Sequence, residues 1–211
     1  SAYLLNRKIK NVESSNEIST PNILSIAWPM FITNIIGLGI SQLDIWVIGY
    51  NLGNEEVALY GASIRLAAFT SISLGIANSV TPPLIAEMLA KGEKNNLEKL
   101  LRSITTLISI PSVIVFLSYI IFGSQILRIF YGDFYAKGAT ILAILSFGQL
   151  VNVMVGSCGY LLLMAGHQKK LMWATGLSSL ITILGVFLFV NDYGTIGIAL
   201  AVAIGISMQS I

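Results

Sequence analysis

Long uninterrupted apolar runs restrict this chain more than any other feature. A helix needs about 20 mostly apolar residues to cross the roughly 30 Å hydrocarbon core of a bilayer. Six segments qualify or nearly do: 23–50, 55–81, 100–122, 138–165, 171–190, and a sixth from 195 that still runs at Ile211. Ile and Val are plentiful, so strands are the competing reading. Membrane-barrel strands alternate over roughly 10 residues, whereas these runs are continuous and about twice that length. The expected fold is therefore an all-α polytopic membrane bundle, in which each helix satisfies its own backbone. Composition agrees: 55% of residues are hydrophobic and only 10% charged, where a soluble domain carries about 25% charge.

The first segment, about 42 Å long at 1.5 Å per residue, exceeds the core and is expected to tilt, protrude or bend near Pro29. Pro82-Pro83 is expected to end or break the second span, and Pro111 to kink the third. The connections alternate in charge. Arg7, Lys8 and Lys10 precede the first span, Lys91, Lys94, Lys99 and Arg102 join the second to the third, and Lys169 and Lys170 join the fourth to the fifth. The intervening connections carry only Arg128 and Lys137. The positive-inside bias then places the N-terminus and the more basic loops in the cytoplasm. Ser1 in place of Met, an apolar opening Ser1-Ala2-Tyr3-Leu4-Leu5, and Ile211 inside an apolar run give the expectation of a piece of a longer protein. Residues 1–21 are expected to be a cytoplasmic linker and 22–211 a six-helix transmembrane lobe.

Several function classes drop out. A net charge of +2, without a basic run interleaved with aromatics, argues against a nucleic-acid partner. One cysteine, Cys158, and one histidine, His167, form neither an intrachain disulfide nor a zinc site. No metal and no cofactor is expected. Gly37-Leu38-Gly39 lies mid-helix with no preceding strand, so a dinucleotide site fails its structural context. No carboxylate pair and no Ser/His/Asp set is placed for chemistry, and the chain is not expected to be an enzyme. Glu87, Lys91, Lys94, Glu98 and Arg102 recur every three or four residues. They fit either an amphipathic surface helix or a solvated extension of the second and third spans. The aromatic stretch from Ile126 to Tyr135 reads as an interfacial anchor.

Asp44 and Arg65 are the charges that need explaining. They lie deep in the first two spans, joined by the short turn Asn51-Leu52-Gly53-Asn54. Helices joined so tightly run antiparallel. Asp44 should lie about 12 Å and Arg65 about 20 Å below the turn, a gap an Arg side chain can largely close. Each charge costs about 2.5–3.5 kcal/mol near a bilayer centre, so a functional pair is the preferred reading. A self-neutralising pair that fixes helix register is the alternative.

Polar and small residues form stripes: Asn34, Gly37, Ser41 and Asp44 in the first span; Gly61, Arg65, Ala68, Gly75 and Asn78 in the second; Gln149, Asn152, Gly156 and Gly159 in the fourth. Amides and charges among small residues point to a hydrated cavity. Its candidate substrate-binding residues are Arg65, Asp44, Asn34, Gln42, Asn78, Gln149 and Asn152. For Thr175, Ser178 and Thr182 in the fifth span, and for Gly197, Ala201 and Gly205 in the sixth, helix packing is the preferred reading.

A series of motifs then carries a resemblance over nearly the whole chain from Pro21. They are Ala27-Trp28-Pro29, Gln42-Leu43-Asp44-Ile45-Trp46-Val47-Ile48-Gly49, Leu59-Tyr60-Gly61-Ala62-Ser63-Ile64-Arg65-Leu66, Pro82-Pro83-Leu84-Ile85-Ala86-Glu87, Phe130-Tyr131-Gly132, Gly166-His167-Gln168-Lys169 and Tyr193-Gly194-Thr195-Ile196-Gly197-Ile198-Ala199-Leu200-Ala201. In order and spacing they resemble the polysaccharide and O-antigen flippases of the multidrug/oligosaccharidyl-lipid/polysaccharide flippase superfamily. The resemblance implies two six-helix lobes, of which this chain is most of the second. It also implies alternating-access export of undecaprenyl-pyrophosphate-linked sugars across the bacterial cytoplasmic membrane, for surface polysaccharide such as lipopolysaccharide. The implied partners are that lipid-linked oligosaccharide, membrane lipids and the preceding lobe. A proton- or sodium-coupled multidrug extruder of the same superfamily is the alternative; there, a nearby Arg65 would oppose proton uptake by Asp44.

Overall fold

A computed structural model describes residues 20–210, so the linker expected over 1–21 lies almost wholly outside the described residues. Among these residues the chain is helical throughout, with no strand. The helices are α1 (Thr20–Asn51), α2 (Asn54–Ala67), α3 (Ile72–Lys91), α4 (Lys94–Tyr131), α5 (Ala139–Val155), α6 (Cys158–Met164) and α7 (Gln168–Ser210). Among the described residues four stretches are long and apolar enough to cross a membrane: Asn54–Lys91, Lys94–Tyr131, Asp133–Val155 and Gln168–Ser210. α1, about 48 Å long at 1.5 Å per residue, has the length to do so as well.

α7 is two spans rather than one. Gly194 leaves helical geometry at φ 55, ψ −139, a left-handed conformation open to glycine at little cost. The arms then fold back on each other. A Cβ on Gly197 would stand 2.7 Å from the Phe189 Cβ, one on Gly185 would stand 2.9 Å from the Ala201 Cβ, and one on Gly205 would run into Thr182. As the numbers rise on one arm they fall on the other, so the arms are antiparallel, with their bend at the expected fifth-to-sixth turn. The small-residue face at 197, 201 and 205 does close-pack, as expected. α5 forms the centre of the bundle and packs against α2, α4 and α7, while α1 packs along α7. A Cβ on Gly148 of α5 would approach the Ala203 backbone to 2.8 Å, which fixes how closely α5 and the second arm meet. Tyr60, Ile48, Leu142, Leu145, Val186 and Ile198 fill the shared core.

Three features differ from the sequence reading. First, Pro82-Pro83 does not end the second span, because α3 continues through both prolines to Lys91. The missing amides leave carbonyls one turn earlier unserved. Beside them the Thr81 hydroxyl donates to the Ala77 carbonyl at 2.6 Å and Ser79 to the Ile76 carbonyl at 2.7 Å, the side-chain compensation that apolar surroundings demand. Second, the break in that span comes earlier, at a 3₁₀ turn over Ala68–Ser71. There Ser71 donates to the Ala68 carbonyl, and Tyr119 of α4 donates to the Leu66 carbonyl at 2.9 Å. Third, the fourth span ends at Val155. Gly156 takes φ 75 against the Thr105 side chain, leaving α6 as a separate short helix.

The charged segment is a solvated extension, not a separate surface helix. α3 runs to Lys91, Gly92 turns in a left-handed conformation, and α4 starts at Lys94. Glu87–Lys91 and Glu98–Arg102 pair at 2.5 and 2.6 Å along it. α4 also continues past the expected end at 122 to Tyr131, through Pro111. Gly132 then leads into a 3₁₀ turn at Asp133–Gly138.

Candidate functional site

Asp44 and Arg65 do not pair. Asp44 is 3% exposed, and its Oδ2 accepts a 2.6 Å hydrogen bond from the Tyr60 hydroxyl. Its Oδ1 accepts from the Ile45 amide at 2.8 Å. Arg65 is exposed, and no ion pair joins the two among the described residues. The helical screw is the reason. Tyr60 faces α1, and five residues later the chain has turned about 140° away, so Arg65 projects from the opposite side of α2. Arg65 is the exposed base about 17 Å down a helix that begins at Asn54.

Around Asp44 lies a cavity of about 260 Å³. Gln149 of α5, Thr175, Ser178, Ser179 and Thr182 of the first arm of α7, and Gln209 of its second arm join Asp44 on its walls. Ile64, Val202, Gly205 and Ile206 complete them. The cavity sits at mid-bundle. Asp44 is about 12 Å from the 51–54 turn, while Thr175 is more than twice as far from the Gly194 bend. The donors are hydroxyls and amides, and the one charged group is the Asp44 carboxylate. The Thr175 hydroxyl, on a residue 1% exposed, is buried without a hydrogen-bond partner. Such an atom costs about 1–3 kcal/mol, so the chamber holds both an acidic side chain and an unfilled polar position.

The structure thus brings Asp44 and Gln149 together and leaves the other expected cavity residues elsewhere. Gln42 and Asn34 are exposed; Gln42 is two residues from Asp44, which turns it about 160° away on α1. Asn34 is about a quarter turn off the Asp44 face, so the first-span stripe does not stay on one side. The Asn78 side chain accepts from Ser157 at 2.7 Å, tying α3 to the α5–α6 break. That of Asn152 accepts from Ser210 at 2.9 Å, tying α5 to the end of α7. Each amide oxygen is thus engaged in a hydrogen bond between elements of the bundle. Thr175, Ser178 and Thr182 pack as expected, all three buried and Thr182 against Gly205, and they also line the chamber. Ser179 and Gln209 were not expected at all. Their signal was available in the spacing, since 175, 178, 179 and 182 follow the i, i+3, i+4, i+7 pattern of one helix face.

A lobe of membrane-crossing helices with a buried carboxylate beside a partly open cavity and an exposed Arg on another face fits a transport protein. Residues 29–188 match the MatE family, and the chain belongs to that family within the multidrug/oligosaccharidyl-lipid/polysaccharide flippase superfamily. It is 22% identical over 183 residues to the probable low-salt glycan biosynthesis flippase Agl15 of Haloferax volcanii. That alignment covers 85% of this chain and 38% of the relative's length. No solved structure matches.

Proposed function

We propose that this chain forms one lobe of a flippase that moves a lipid-linked oligosaccharide across a bacterial cytoplasmic membrane, the carrier being undecaprenyl pyrophosphate. Alternating access against a second lobe carries the headgroup while the lipid tail stays in the bilayer. The observation that carries this reading is the outward Arg65. A guanidinium at mid-depth is too costly against acyl chains, so its face borders water or the opposite lobe. Arg binds phosphate oxygens through paired hydrogen bonds, which suits a pyrophosphate. Exposed Gln42 on α1 offers an amide to sugar hydroxyls. Charge bias puts the loops carrying Lys91, Lys94, Lys169 and Lys170 in the cytoplasm and the Gly194 bend outside. The test is movement of fluorescent lipid-linked oligosaccharide in vesicles containing the full chain. Label that stays in the leaflet where it was placed overturns the reading.

The Asp44 chamber favours ion coupling, the drive of the alternative extruder. With Arg65 turned away, no cationic side chain among the described residues lines the cavity at Asp44. A carboxylate among neutral oxygens suits a hard monovalent ion or a proton. Extrusion of a cationic dye against a sodium or proton gradient, with no movement of lipid-linked glycan, would select that reading.

A further inference from the structure

A second pocket, of about 520 Å³, opens at the end of the bundle that carries the 51–54 turn and the Gly194 bend. It lies within the roughly 300–1,000 Å³ range of small-ligand sites. Several elements meet there. Glu56 comes from the first turn of α2, Lys137 from the 3₁₀ turn before α5, Thr140 from the start of α5, and Tyr193 and Thr195 from either side of the bend. Leu59 belongs to the apolar floor. The left-handed Gly194 creates this arrangement: it stops the first arm with Tyr193 at the rim, 63% exposed, and delivers the Thr195 hydroxyl to Glu56 Oε2 at 2.5 Å. Lys137 lies over the Phe134 ring, 5.7 Å from its centre.

The chemistry of these groups is mixed in a particular way. Glu56 only accepts hydrogen bonds, Lys137 only donates, and Thr140 and Thr195 do both. One carboxylate and one ammonium cancel, so the pocket has no net pull on a pyrophosphate. A pyranose ring needs this combination, because its hydroxyls donate and accept around the rim while its C–H face is apolar. The exposed Tyr193 ring offers a flat apolar partner with a polar tip. We infer that this pocket binds one sugar ring of the glycan, apart from the Arg65 face and the Asp44 chamber. The inference rests on the glycan-flippase reading. It adds a place where the headgroup is held at the far end of its path, with a sugar hydroxyl replacing Thr195 on Glu56.

Saturation-transfer NMR on the full chain in nanodiscs tests it, with N,N′-diacetylchitobiose and methyl glucoside as probes and dihexanoyl phosphatidylethanolamine as the competing headgroup. Transfer to sugar ring C–H protons is expected, with binding weakened about tenfold in Tyr193→Ala through loss of the ring contact. Glu56→Gln, which keeps an acceptor for Thr195, should weaken binding about threefold to tenfold. Unchanged transfer in both variants overturns the proposal, as does Tyr193-dependent transfer to the phosphatidylethanolamine alone. Vesicle flipping of lipid-linked oligosaccharide by the same preparation separates the two claims. Flipping without sugar contact removes the pocket; sugar contact without flipping removes the transport reading.

Discussion

Asp44 and Arg65 are near neighbours in depth and opposites in environment. The carboxylate is buried, bonded to Tyr60 and enclosed by hydroxyls and amides from α5 and α7. The guanidinium stands on the outer side of α2. Two charges that looked like one salt bridge therefore face two surfaces, one inside the lobe and one on its exterior. A buried ion pair would have neutralised both groups and left neither available. Separated, one can hold an ion within the lobe while the other meets an anion outside it.

The sharpest way to break this contrast is Arg65→Ala. An exposed guanidinium adds little to folding, so stability should change by no more than about 0.5 kcal/mol. Transport of lipid-linked oligosaccharide in vesicles should fall by more than about 100-fold, because removing one member of a charge-assisted contact costs about 3 kcal/mol. Arg65→Lys should recover only part, since an ammonium cannot make the bidentate contact. If Arg65→Ala melts early and transports normally, Arg65 is structural and the two charges are not separate in role.

Glycines sharpen the same contrast through packing. A Cβ at Gly205 meets Thr182 on the chamber wall, whereas a Cβ at Gly61, one turn from Arg65, meets nothing within 4 Å. Gly205→Val should destabilise the lobe by about 1–3 kcal/mol through overpacking. Gly61→Ala should be neutral or stabilise it by up to about 1 kcal/mol through helix propensity. Thermal unfolding in detergent reads both, and equal effects would mean that the outer face of α2 is as closed as the chamber.

The hydrogen bond from Tyr60 comes next. Tyr60→Phe leaves a buried carboxylate without its side-chain donor, a loss of about 1–3 kcal/mol. Asp44→Asn combined with Tyr60→Phe should cost less than the two changes taken separately, because an amide tolerates the missing donor better than a carboxylate. A double-mutant cycle on unfolding midpoints measures that coupling; strictly additive losses would show that Tyr60 does not hold Asp44.

Most of the fold was legible because hydrocarbon imposes one rule, that backbone groups be satisfied within each helix, and length plus apolarity then reveal the spans. The turns at 51–54 and 191–194 carried their glycines openly. The break at Ala68–Ser71 did not, for it contains neither Gly nor Pro. Its signal was Ser71, whose hydroxyl competes for a backbone carbonyl and bonds that of Ala68. The site was less legible than the fold. A stripe read on one helix records depth and rough azimuth, but what it faces depends on a neighbour's rotation. Gln42 is a different case: two residues from Asp44 on one helix, it turns about 160° away whatever the neighbours do. The face at 175, 178, 179 and 182 was legible in its spacing, but that it borders the Asp44 cavity as well as packing was not.

The smallest expected effect bears most directly on what the chamber is for. Thr175 keeps a hydroxyl buried with no partner, and valine has nearly the same shape without it. If the chamber is a polar seat for a passing ion, Thr175→Val should leave stability unchanged or raise it by up to about 1 kcal/mol, since an unfilled polar position is removed. The same variant should lose the ion response. The wild-type melting temperature should rise in sodium chloride relative to choline chloride, because an ion bound only to the folded state stabilises it by mass action, and that rise should shrink in Thr175→Val and vanish in Asp44→Asn. A loss of more than about 1 kcal/mol in Thr175→Val would point the other way. The hydroxyl would then be holding the helices together, and the space beside Asp44 would be a packed seam whose charge answers to Tyr60 alone.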